Sequence, residues 1–114
     1  FIQTKLARMN IQTDDLRPRA NEAASLMRAL SSPRRLMILC ELLQGERSVG
    51  QLELVVRLRQ SALSQHLAKL RADGLVSTRR ESQTIHYSLA DPAVAKVIGT
   101  LHELYCQPRR KSKR

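Results

Sequence analysis

Apolar residues in this chain recur at three- and four-residue steps up to about position 72 and then alternate with polar ones, so helices give way to strands. Ala20, Ala23, Ala24, Met27 and Leu30 mark one face of a first amphipathic helix. Ser31-Ser32-Pro33 ends it and opens the next, because Ser32 suits an N-cap and Pro33 a first helical turn. The second helix, about 33–44, is apolar nearly all round, which predicts the central and most buried helix, and Gly45 fits its stop. Ser48 precedes a short helical segment from Val49 to about Arg57, with Leu52, Val55 and Val56 turned inward. Leu58-Arg59-Gln60 then leads into a helix over Ser61–Arg71 with core positions Leu63, Leu67 and Leu70, which Ser61 is placed to cap.

Gly74 closes that helix, and the period falls to 2. Leu75–Arg80 and Thr84–Leu89 read as two short strands around Glu81-Ser82-Gln83, with Ile85, Tyr87 and Leu89 on one face of the second. Asp91-Pro92 opens a last helix carrying Val94, Ile98, Leu101 and Tyr105 on one stripe and ending before Pro108. The order helix, helix, short helix, helix, hairpin, helix predicts a mainly α (α+β) winged helix-turn-helix: five helices with a two-stranded β-hairpin wing. The expected organisation is a flexible arm over 1–14, one domain over 15–107 and a basic tail over 108–114.

In this fold the helix after the turn is the one that enters a DNA groove. With Leu63 inward, Ser61, Gln65, Ala68 and Ala72 point outward, flanked by Ser64 and Lys69, and Gln60 stands at the entry. The outward side chains near the N-terminus are short or amide-bearing, suited to base edges in the major groove. Charge lies around them instead, at Arg57, Arg59, Lys69 and Arg71 and on the wing at Arg79 and Arg80, with Gln83 at its tip. Phosphates call for charge and base edges for directional donors and acceptors, so the two sets divide into clamp and reader.

The composition agrees with an acidic partner. The 114 residues hold 20 Lys+Arg against 10 Asp+Glu, a net charge of +10. Arg109, Arg110, Lys111, Lys113 and Arg114 concentrate half of that excess in the tail, where they add loose phosphate contacts or form a solvated end. The aromatic residues are Phe1, Tyr87 and Tyr105, too few for a base-stacking sheet, which argues against single-stranded nucleic acid. The longest apolar run, Leu36–Cys40, is far short of the roughly 20 residues that span a bilayer, so no membrane partner is expected. Phe1-Ile2-Gln3-Thr4-Lys5 lacks the apolar stretch and small-residue cleavage site of a leader, and a cytoplasmic location is expected. There is no glycine-rich phosphate loop, no paired acid–base carboxylates and no Cys–His arrangement with a third member, so no enzyme and no cofactor is expected. His66, predicted half-buried, His86 and His102 are scattered and lack local ligand partners, so no metal is expected either. Cys40 and Cys106 are too far apart for a zinc knuckle; from their number alone they are two inert core residues or one redox pair.

Residues 61–76, followed by Arg79-Arg80-Glu81 and Ile85-His86-Tyr87-Ser88-Leu89 and preceded by Ala29-Leu30-Ser31-Ser32-Pro33-Arg34-Arg35-Leu36, resemble the ArsR family of bacterial repressors. The resemblance covers about residues 20 to 106. It implies a homodimer formed through the first and last helices, bound to double-stranded, palindromic operator DNA until an inducer releases it. The family's metal sites do not carry over. Its Cys-Val-Cys motif falls on Ser48-Val49-Gly50; in its last-helix zinc pattern Asp91 is present but Ala93 replaces the histidine, and later ligands fall near Leu104 and Gln107. Cys40 in the central helix and Cys106 at the end of the last resemble the persulfide-responsive branch, the SqrR and BigR type. That resemblance implies a redox switch in which the two thiols are joined by a disulfide or short polysulfide when reactive sulfur species are present. Two rivals stand beside it: a peroxide- or disulfide-stress sensor using the same cysteines, and a winged-helix protein-interaction module.

Overall fold

The computed structural model describes residues 11–106. Its elements run α1 (Thr13–Leu16), a 3-10 turn (Arg17–Arg19), α2 (Ala20–Leu30), α3 (Pro33–Leu43), β1 (Arg47–Ser48), α4 (Val49–Val56), α5 (Gln60–Ala72), β2 (Val76–Glu81), β3 (Thr84–Leu89) and α6 (Pro92–Cys106). These are the expected elements in the expected order, with additions in two places, ahead of α2 and in the sheet. The helical turn α1 takes up Thr13 and Asp14, which the expected arm contained; the rest of that arm up to residue 10, and the basic tail, lie outside the described residues.

The second addition is β1. The wing was expected to have two strands, but the sheet has three, in the order β1-β3-β2. Arg47 pairs with Tyr87 and Ser48 with His86, while β2 and β3 form a hairpin from Val76↔Leu89 out to Glu81↔Thr84. A two-residue strand carries no alternation of its own, and its pairing partner lies far along the chain. Ser82 holds φ +60° at the hairpin tip, where a tight turn demands the left-handed region.

Local capping sets the helix boundaries. The Ser32 hydroxyl accepts from the Arg35 amide at 3.3 Å, with Pro33 in the first turn of α3. At the end of α5 the Leu75 amide donates to Leu70 O at 2.9 Å and the Gly74 amide to Arg71 O at 3.0 Å. This is a Schellman closure, with Gly74 at φ +77° and Leu75 returned to the core beside Leu70. The start of α5 departs from expectation. Its N-cap is Arg59, with no side-chain cap, so Ser61 lies inside the first turn and is not the cap.

Ile38 and Leu39 of α3, Leu52 of α4, Leu63, Leu67 and Leu70 of α5 and Val94 of α6 are completely enclosed. The central helix is nevertheless not buried all round, because Met37 is 51% exposed. On α4, Leu52 and Val56 stand one turn apart and face the core; Val55, expected inward, is rotated off that stripe and is 44% exposed. On α2 the packing edge is Leu26, Ala29 and Leu30 rather than the expected alanine stripe, which leaves Met27 52% exposed. The stripe on α6 divides in the same way: Val94 and Ile98 are buried, Leu101 is partly so and Tyr105 is open to solvent.

Candidate nucleic-acid interface and thiol pocket

The turn before α5 is fixed at both ends. Ser48 closes β1 and caps α4 through a reciprocal box: its hydroxyl accepts from the Gln51 amide at 3.2 Å, and its own amide donates to Gln51 Oε1 at 2.8 Å. The other end of α4 is closed by Arg57 in the left-handed region at φ +62°, its amide donating to Glu53 O at 3.0 Å. Leu58 then packs partly against the core. With the turn pinned, Leu63, Leu67 and Leu70 bury one side of α5, and Gln60, Ser61, Ser64, Gln65, Ala68 and Lys69 are all exposed on the other. The expected reading face is therefore one continuous uncharged strip, with Lys69 at its far end 3.9 Å from Asp73.

The expected clamp residues divide. Arg57, Arg59, Arg71, Arg80 and Gln83 are exposed, and none of them has an ion-pair partner among the described residues. Arg79 does. Its Nε donates to Glu46 Oε2 at 2.9 Å and its Nη2 to Glu46 Oε1 at 2.7 Å, with Glu81 a weaker third contact at 3.4 Å. Arg79, expected as a phosphate contact, is held by two carboxylates. His86 lies 3.5 Å from Glu81, a partner not expected from the sequence, and His66 is half-buried as expected. Glu46 was missed because nothing local marks a residue whose partner is 33 positions away. The Ser48–Gln51 box carried a readable signal, the Ser-x-x-Gln spacing before an apolar run.

A second feature lies between α3 and α6. Leu36, Met37 and Cys40 from the first helix and Ile98, Leu101, His102, Tyr105 and Cys106 from the second line an open apolar pocket of about 300 Å³. Cys40 is half-buried and Cys106 exposed, and both are free thiols. Burial pushes the Cys40 thiol up; the neighbouring Cys106 and then Glu41 push it further. Arg109 and Arg110, which follow Cys106 in the sequence, lie outside the described residues. A larger concavity of about 670 Å³ beside α2 is lined by charges of both signs, including Arg19, Glu22, Arg35 and Asp73. Among the described residues no three His, Cys, Asp or Glu side chains gather to hold a metal ion, and no helix is long and apolar enough to cross a membrane.

Comparison with known proteins matches residues 32–78 to the bacterial regulatory protein, arsR family. The chain is 50% identical to the transcriptional activator HlyU of Vibrio cholerae over 103 residues, 90% of this chain and 94% of that one. It is 39% identical to the biofilm growth-associated repressor of Xylella fastidiosa over 105 residues, 92% of each. Among solved structures, the transcriptional repressor BigR from Xylella fastidiosa superposes with a TM-score of 0.81 at 41% identity, covering 86% of this chain and all of that one.

Proposed function

The chain belongs to the arsR family of bacterial transcriptional regulators and is a DNA-binding protein rather than an enzyme; from that premise we propose that it is a dithiol-switched repressor acting in the cytoplasm. It binds operator DNA as a homodimer when reduced and leaves it when Cys40 and Cys106 are joined. The observation that carries this reading is that both thiols wall one apolar pocket between α3 and α6. The similarity to named repressors supports repression.

The dimer follows from apolar surface that the single chain leaves uncovered. Leu16 and Met27 at the N-terminal end and Leu104 and Tyr105 on α6 are open, and burying them against a second copy removes that exposure. Each protomer then presents one α5, and the spacing of the two recognition helices must match half-sites about 34 Å apart or a multiple of that. Gln60, Ser61, Ser64, Gln65 and Ala68 read bases, while Arg57, Arg59, Lys69, Arg71, Arg80 and Gln83 hold the backbone.

The inducer is a source of sulfane sulfur. The exposed Cys106 thiolate attacks the outer sulfur of a persulfide RS–SH, expelling RS⁻ and becoming Cys106–S–SH. Attack by the Cys40 thiolate on the inner sulfur of that group forms the disulfide and releases HS⁻. If the new persulfide first takes sulfur from a second donor, attack on the middle sulfur of Cys106–S–S–SH gives a trisulfide, again with HS⁻ leaving. The sulfane sulfur is the oxidant in each case. A direct disulfide requires Cα atoms no more than about 7 Å apart, and inserted sulfur relaxes that limit. Joining the helices moves α6 against α3 and changes the half-site spacing.

The test is a gel shift on the DNA upstream of the chain's own gene, reduced against polysulfide-treated, for wild type, Cys40→Ser and Cys106→Ser. Release in wild type alone supports the switch, and release in either variant overturns it. Mass spectrometry after separate peroxide and polysulfide exposure distinguishes the inducers, because retained extra sulfur marks the second.

A further inference from the structure

The outer face of the sheet carries a charged link that the division into readers and clamps leaves without a role. Glu46 stands immediately before β1 and Arg79 within β2, and in the order β1-β3-β2 the central strand lies between them. Two strand spacings, roughly 10 Å, separate those backbones. The guanidinium nevertheless meets both oxygens of the carboxylate, at 2.7 and 2.9 Å. Bidentate Arg–carboxylate pairing is the strongest and most directional arrangement these groups make. Beneath it is His86 of β3, the shared partner of Ser48 on one side and Arg79 on the other. The link is a strap across the sheet.

What it fastens follows from the chain. β1 has two residues, and its second, Ser48, is the N-cap of α4. Glu46 is thus two residues from the first helix of the helix-turn-helix, and Arg79 is on the strand that leads to the wing tip. A carboxylate near DNA opposes binding through its charge, so Glu46 contributes to binding only through what it holds in place.

We propose that Glu46 and Arg79 are a positioning pair that sets the wing against the helix-turn-helix, and that Arg79 serves DNA binding through this strap rather than by touching a phosphate. The inference rests on the DNA-binding reading. Fluorescence anisotropy of a labelled duplex from the chain's own promoter, measured over a range of salt, separates the possibilities. Positioning predicts that Glu46→Gln weakens binding roughly tenfold, the scale of a single charge-assisted hydrogen bond, although it removes a negative charge. The salt slope falls as well, because the wing's grip on phosphates loosens. The paired reversal Glu46→Arg with Arg79→Glu rebuilds the link and restores affinity. If Arg79 is itself a phosphate contact, Glu46→Gln frees it, affinity and salt slope both rise, and the reversal does not restore wild-type affinity. That result overturns the inference. Circular dichroism of each variant confirms folding. A wild-type protein that shifts no DNA defeats the DNA-binding reading and this inference together, whereas wild-type binding with a tighter Glu46→Gln defeats this inference alone.

Discussion

Cys40 and Cys106 belong to different helices but share one apolar pocket, and Cys106 is the second cause, after burial, that raises the Cys40 thiol above its ordinary range. The pair is therefore asymmetric: one thiol is half-buried and slow to ionise, the other exposed. Thiolate is the reactive form, so Cys106 is expected to be alkylated first by iodoacetamide. Cys40 should react appreciably only at higher pH than a free thiol. Peptide mapping by mass spectrometry over a pH series reads both rates, and faster labelling of Cys40 near neutrality would reverse the assigned order of attack.

The two sides of α5 should separate stability from recognition. Leu67 is 1% exposed and Gln65 lies open on the opposite side. Leu67→Ala should cost roughly 2–5 kcal/mol in chemical denaturation, as enclosed leucines do. Gln65→Ala should change stability by less than about 0.5 kcal/mol while losing roughly 1–3 kcal/mol of discrimination between operator and scrambled DNA. Equal loss of affinity for both sequences would remove Gln65 from the reading face.

Gly74→Ala isolates a backbone effect. A Cβ there meets nothing within 4 Å, so the cost comes only from φ +77°. Thermal unfolding should show a loss of about 1–2 kcal/mol; no loss would mean that the Schellman closure relaxes freely.

Positions such as Ser32 and Gly74 were legible in the sequence because capping is local chemistry: a hydroxyl or a glycine acts on neighbours three to five residues away. The third strand was not, because Arg47 and Ser48 become a strand only by meeting Tyr87 and His86. Val55 misled for a geometric reason. In an eight-residue helix packed along one edge, Leu52 and Val56 take the core side, and a third apolar residue must face elsewhere. The exposed face of α5 followed from periodicity alone, since burying Leu63, Leu67 and Leu70 determines what is left outside. Pattern could not pair the thiols. Residue counts left Cys40 and Cys106 open between core and switch, and the shared pocket depends on how α3 packs against α6.

The dimer is testable at the apolar residues the single chain leaves open. Met27 and Leu104 are 52% and 68% exposed, so a charge at either should not disturb the protomer's core. Met27→Glu and Leu104→Glu should each keep the helical circular dichroism signal and sediment as monomers at concentrations where wild type is a dimer. Operator affinity should fall with dimerisation, because a monomer engages one half-site. Dimers persisting in both variants would place the interface elsewhere.

The strap also has a pH signature. The hydrogen bond from Arg79 is the largest cause holding Glu46 below the ordinary carboxylate value of 4.5; burial opposes it, and the charges of Arg79 and His86 add to it. For an acid depressed by folding, the stabilisation is present above the ordinary value and is lost as pH falls through the lowered one. The difference in thermal midpoint between wild type and Glu46→Gln should therefore hold steady from neutrality to about pH 5 and vanish in stronger acid. In an NMR titration, the Glu46 carboxyl should protonate below 4.5 in wild type and move back toward that value in Arg79→Gln. A Glu46 that titrates at its ordinary value in wild type would mean that the link to Arg79 is open in solution, leaving the β1–β3 pairing to join the wing to α4.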